Sequence, residues 1–125
     1  MEELSRSIEG YRVRPQMSAL SLETREEGSQ VRIAVGGELD LSSALTFDEE
    51  IRRAEERNPG TLVLDLRALR FLDSTGLRLI MSAQARARKR GHRFAVVQGT
   101  EPVQRIFRLA GVARRLDLVE EVPAV

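Results

Sequence analysis

In the run Leu72-Asp73-Ser74-Thr75-Gly76-Leu77, a carboxylate and two hydroxyls stand where an apolar stretch gives way to helical spacing. The first amides of a helix have no intrahelical partner, and the aligned peptide dipoles add partial positive charge at that end, so the position tolerates an anion. Asp73 or Ser74 can act as N-cap, accepting a hydrogen bond from an amide two or three residues on, and Gly76 removes side-chain bulk beside them. Either hydroxyl can therefore carry a phosphoryl group without melting its own helix. A phosphate adds roughly −1.5 to −2 charge next to Asp73, so its effect falls on a docked partner rather than on the fold. Asp-Ser-Thr before an apolar helix is also an ordinary capping sequence, and the triplet alone does not separate the two readings.

The rest of the chain offers no constellation for catalysis. There is no Walker-type glycine loop with Lys, no Ser-His-Asp order, one histidine (His92) and no cysteine. A disulfide framework and a thiolate zinc site are excluded, and a lone His92 has no second ligand, so no metal, cofactor or catalytic residue is expected. Asp65 and Asp73 suggest an aspartyl-phosphate receiver, but the paired acidic residues expected after a first parallel strand are missing. Arg86, Arg88, Lys89, Arg90 and Arg93 form a basic cluster that reads as a solvated helix C-terminus, where the dipole favours cations, rather than as a nucleic-acid surface. The 20 basic and 19 acidic residues leave a formal charge of +1, which gives no global drive toward nucleic acid or membrane and points to a protein partner.

A chain of 125 residues with 42% hydrophobic content suits one domain, burying roughly two-thirds of its unfolded surface. No apolar run approaches the ~18 residues of a membrane span, and Met1-Glu2-Glu3-Leu4 lacks the basic start and apolar core of a signal peptide, so a cytoplasmic protein is expected. Residues 1–15 mix charges with Gly10 and Pro15 and are expected to form a flexible leader, with the domain over 16–121 and a tail over 122–125.

Alternation begins at Met17 and resumes at Val31, Ile33 and Val35; Glu26-Glu27-Gly28-Ser29 between the two runs predicts a hairpin with a hydrophilic loop. From about Ser42 to Arg57, Phe47, Ile51 and Ala54 follow i, i+4, i+7 in an amphipathic helix that Ser42 or Ser43 can cap. Thr61-Leu62-Val63-Leu64-Asp65-Leu66 reads as a buried strand leading toward Ser74. After Gly76, apolar residues spread around a helix that lasts until Gly91, and one side of it is free for a partner. Phe94–Val97 predicts a strand, Val103, Ile106, Phe107 and Ala110 a helix opened by Pro102 and closed by Gly111, and Leu116, Leu118 and Val119 a short last strand. The order β-β-α-β-α-β-α-β predicts a single α/β domain with a mixed, mainly parallel sheet covered by helices.

Four blocks in this order carry a resemblance. Gly37-Glu38-Leu39-Asp40 after a strand, Leu64-Asp65-Leu66, Phe71-Leu72-Asp73-Ser74-Thr75-Gly76-Leu77, and Pro102-Val103-Gln104-Arg105-Ile106-Phe107 with Leu109-Ala110-Gly111-Val112 together resemble the STAS domain of bacterial anti-sigma factor antagonists, over about residues 17–120. The resemblance implies partner switching. The unmodified antagonist binds an anti-sigma factor that is also a serine kinase, freeing a sigma factor. The kinase, which supplies ATP and Mg²⁺, phosphorylates the serine matching Ser74, and a PP2C-type phosphatase reverses the step.

Thr75 is then a lesser acceptor or a helix-start residue, and Asp73 orients the hydroxyl, contacts the kinase or simply caps. The same resemblance places Asp40 and Gly76 with Asp73, Ser74 and Thr75 in the partner-binding surface; otherwise Glu38 is merely solvated and Asp40 caps the next helix. STAS domains also serve as non-cycling scaffolds or small-ligand sensors in signalling complexes, and fold alone does not choose among these roles.

Overall fold

A computed structural model describes residues 20–125. The leader expected over residues 1–15, and the start of the first strand at Met17, lie outside the described residues. Strands β1 (Ser21–Glu27) and β2 (Gln30–Leu39) pair antiparallel, from Ser21 opposite Gly36 to Glu27 opposite Gln30. The turn is shorter than expected: Glu26 and Glu27 remain in the ladder, leaving Gly28 and Ser29 to reverse the chain. Gly28 takes φ +59°, the positive value a two-residue hairpin turn needs at its first position.

Helix α1 (Ala44–Glu55) buries Phe47, Ile51 and Ala54, the positions the spacing selects. Ser43 occupies its N-cap position without bonding a helix amide. Its hydroxyl accepts from the Asp40 amide at 3.1 Å and donates to the Glu38 carbonyl at 3.0 Å, tying the helix start to the end of β2. Strand β3 (Thr61–Leu72) is twice the length the apolar run predicts. Two register shifts against β2, between Ala34 and Gly36 and between Gly37 and Glu38, each place an extra residue on β3. These bulges replace a two-residue period by a three-residue one, so Leu66, Leu69 and Leu72 all face the core while Arg67, Ala68, Arg70 and Phe71 face solvent.

Helix α2 (Ser74–Arg90) follows and ends at Gly91, which takes φ +84° and closes it by donating its amide hydrogen bond to the Ala87 carbonyl. Strand β4 (Arg93–Val97), helix α3 (Glu101–Leu109), a 3₁₀ turn (Ala113–Arg115) and β5 (Asp117–Val119) complete the described chain. The sheet order is β1-β2-β3-β4-β5, with β2 to β5 parallel, which is the mixed, mainly parallel sheet that the order of patterns predicts.

Ile33, Leu64 and Val96, at alternate positions of three strands, join Phe47, Ile51, Ile80, Ala83, Val103 and Phe107 in one apolar core. All three helices therefore cover the same side of the sheet. Between α1 and α2, the buried Glu55 carboxylate accepts from Arg86 Nε at 2.9 and 3.0 Å, and its backbone carbonyl accepts from Arg90. On the strand neighbouring positions of opposite orientation, burial pushes the Asp65 carboxyl up, but hydrogen bonds from the Arg67 side chain and amide, with the charges of Arg67 and Arg32, outweigh it and hold the group below its usual range. After β5, Gln30 Nε2 donates to the Pro123 carbonyl at 3.0 Å, so the end of the chain is pinned beside the hairpin.

Candidate functional site

The site stands where β2 and β3 end side by side. Leu39 pairs with Leu72, and the Asp73 amide donates to the Leu39 carbonyl at 3.1 Å, extending the pairing by one step. Asp73 then leaves the strand in an extended conformation and becomes the N-cap of α2. Its Oδ1 accepts from the Gly76 amide at 3.0 Å, its carbonyl accepts from the Leu77 amide, and its Oδ2 accepts from the Leu41 amide at 3.1 Å. One carboxylate thus caps the helix and clamps the β2–α1 loop against it. Of the roles open to Asp73 in the sequence, capping is observed, and the bond to Leu41 is an addition no local spacing reveals.

Gly76 is buried, and a Cβ there would lie 2.7 Å from both Leu39 Cγ and Leu72 Cδ1. The residue lets the first turn of α2 sit directly on the strand ends, and its contribution to the site is this close approach. Asp40 does not cap α1. Its Oδ1 accepts from the Ser42 amide at 2.9 Å and the Ser42 hydroxyl at 2.7 Å, which holds the turn between β2 and α1.

With the loop fixed in this way, Ser74 is the first residue of α2 and is exposed, while Thr75 is half-buried. The Ser74 hydroxyl has no hydrogen-bond partner among the described residues. No acidic residue occupies the first turn of α2, and Arg78, one turn on, is exposed. The structure therefore brings Asp40, Asp73, Ser74, Thr75 and Gly76 to one end of the sheet but gives them different surroundings: a free hydroxyl at Ser74, structural bonds at Asp40 and Asp73, and packing at Gly76.

Three apolar side chains border this end, and the pattern reading misses all of them. Leu41 is 76% exposed, Leu45 71% and Phe71 48%. Leu41 is held beside Asp73 by its amide, Leu45 lies on the first turn of α1, and Phe71 sits two residues before Asp73, paired with Glu38. Exposed large apolar side chains are uncommon enough on a soluble surface that these three stand out beside the helix start. A register-by-register reading of β3 would have found Phe71 only with knowledge of the two bulges.

The strand order and the hydroxyl-bearing loop at the strand ends define a small α/β domain built around an exposed helix start. The family model described as Mlab, STAS domain matches residues 22–120, and the chain belongs to the STAS domain family. It is 34% identical over 86 residues, 69% of this chain and 70% of the relative, to the anti-sigma-F factor antagonist RsfB of Mycobacterium tuberculosis. Among solved structures, an anti-sigma factor antagonist from Mycobacterium paratuberculosis superposes with a TM-score of 0.78 at 24% identity, covering 86% of this chain and 91% of that one. The unphosphorylated form of the anti-sigma factor antagonist SpoIIAA superposes with a TM-score of 0.69 at 19% identity, covering 81% and 90%. Among the described residues, no helix is long and apolar enough to cross a membrane.

Proposed function

We propose that this protein is an anti-sigma factor antagonist switched by phosphorylation of Ser74. In the unmodified state the end of the sheet bearing Leu41, Leu45, Phe71 and Ser74 docks on an anti-sigma factor with serine kinase activity, and a sigma factor is released. The kinase brings ATP and Mg²⁺ and transfers the γ-phosphoryl group to Ser74 Oγ, the hydroxyl proton leaving to a base on the kinase and ADP departing. The phosphoserine then repels the partner, and a PP2C-type phosphatase hydrolyses it to restore the hydroxyl. The chain itself acts as a regulatory binding protein and not as an enzyme.

The observation that carries this reading is the exposed Ser74 hydroxyl at the head of α2, without a hydrogen-bond partner among the described residues, with exposed Leu41 and Phe71 on the segments that meet at Asp73. Ser74 is favoured over Thr75 because Thr75 is half-buried and a kinase must reach around the acceptor oxygen. Glu38, Asp40 and Asp73 stand near the same end, so a dianionic phosphate adds to charge already negative and opposes an acidic or apolar face of the partner.

Phosphopeptide mass spectrometry on protein recovered from its native cells with phosphatases inhibited tests the reading. Trypsin releases Phe71 to Arg78, which contains both hydroxyls, and fragment ions separate Ser74 from Thr75. Phosphate on Ser74 in a condition-dependent fraction is expected. A peptide left unmodified across growth and stress conditions would turn the assignment to a non-cycling scaffold or a small-ligand sensor.

A further inference from the structure

Helix α2 carries five cations, Arg78, Arg86, Arg88, Lys89 and Arg90, and no acidic residue. Arg86 pairs with the Glu55 carboxylate on the neighbouring helix, and Arg90 is held there by a hydrogen bond to the Glu55 backbone carbonyl. Arg88 and Lys89 form no ion pair among the described residues, and neither do Arg114 and Arg115 on the 3₁₀ turn. Helix polarity accounts for cations in the last turn of α2. It does not account for Arg115, which arrives from a different element and lines the same groove.

That groove has a volume of about 290 Å³ and is lined by Met81, Gln84, Ala85, Arg88 and Arg115. Met81 and Ala85 are one turn apart and make an apolar floor, while Arg88 and Arg115 supply positive charge at its sides. From Ser74 to Arg88 the helix rises about 21 Å at 1.5 Å per residue, so the groove's far wall is well away from the phosphoacceptor.

We propose that this groove docks an acidic amphipathic segment of a protein partner, with one apolar side chain seated on Met81 and Ala85 and carboxylates on Arg88 and Arg115. The unmatched charge selects an anionic occupant. The apolar floor, with no aromatic side chain among its described lining residues for stacking on a base, selects protein over nucleic acid. The chain's near-zero overall charge leaves no broad positive field of the kind that holds a membrane surface, so the selectivity is local to the groove. A partner held here is independent of Ser74 and stays tethered while the hydroxyl end is switched.

The test is an amide correlation NMR titration of the full-length, isotope-labelled protein with a synthetic capped helix of Glu, Ala and Leu. Shift changes are expected to concentrate on Met81 to Arg88 and on Arg115, with the Ser74 amide unmoved. Arg88→Gln with Arg115→Gln should weaken binding on the order of tenfold, and replacing every Glu of the peptide by Gln should do the same. Both arginines are exposed, and an unchanged amide spectrum of the free variant shows that it folds. Absence of binding to the wild type, binding indifferent to the double substitution, or tighter binding of duplex DNA or phosphatidylglycerol vesicles by the same residues would each overturn the proposal. Because Ser74→Ala leaves the groove intact, loss of phosphoregulation and loss of this docking are separately visible.

Discussion

The two ends of α2 solve the same electrostatic problem in opposite ways. At the head, one carboxylate, Asp73, is spread over the Gly76 and Leu41 amides, so the charge that caps the helix also fixes a loop and leaves the adjoining hydroxyl free. At the tail, charge is handled between side chains: Glu55 is 2% exposed and depends on Arg86, and the surplus arginines turn outward. Backbone partners cannot leave, so the head is pre-organised at small cost. Side-chain pairs removed from water are stable only while both members are present. The switch proposed at Ser74 would benefit from the first arrangement, because a phosphate there would change the charge without moving the scaffold.

The largest effect should come from breaking the tail. Glu55→Ala strands Arg86 between the helices and is expected to cost about 3 kcal/mol in urea unfolding, whereas an acidic replacement that keeps the carboxylate, Glu55→Asp, should lose less. If Glu55→Ala were as stable as the wild type, the pair would contribute nothing and the contrast between the ends would fail. Asp73→Ala at the head should cost about 1–2 kcal/mol and raise hydrogen exchange at the Leu41 and Gly76 amides together. Exchange rising at Gly76 alone would show that the carboxylate caps but does not clamp.

Substitutions on the rim sharpen the comparison from the other side. Leu45→Ser should change stability by no more than about 0.5 kcal/mol, and Phe71→Ser, which uncovers the half of the ring that is buried, by about 1 kcal/mol. Their main cost should appear in affinity for the proposed anti-sigma partner, by about tenfold each in calorimetric titration.

The smallest effect is a pH dependence at the tail. Burial pushes the His92 imidazole below its ordinary value of 6.5; Glu55 pulls it back up and Arg90 adds to the depression. Between pH 6.5 and the lower folded value the unfolded chain binds more protons, so stability falls as the solution is acidified through that window. His92→Asn should flatten this slope. Asp65, whose folded value is also lowered, should add a second loss of stability only below about pH 4, which His92→Asn leaves in place.

Much of the molecule was legible from residue types and spacing. Phe47, Ile51 and Ala54 mark the buried face of α1, Gly91 its neighbour's end, and Asp73 or Ser74 the cap of α2, of which the structure chooses Asp73, because each depends on neighbours within one helical turn. The hairpin was legible as well, although its turn is two residues and not a hydrophilic loop. The second half of β3 was not: its apolar residues recur every third position, a period that belongs to neither ideal strand nor ideal helix until bulges are known.

Sequence by itself determined the order of the elements, the core face of α1 and that of α3 except for Ala110, which caps the helix and is exposed, the glycine closures and the identity of the hydroxyls at the start of α2, since all of these follow from local sterics and periodicity. Only the tertiary structure decided that Ser74 is exposed while Thr75 is half-buried, that Asp73 reaches the Leu41 amide, that Phe71 faces outward and that Arg115 joins Arg88 across a groove. Each of these depends on the register of parallel strands and on how a helix seats upon them. Those relations join residues far apart in the chain, and no local spacing encodes them.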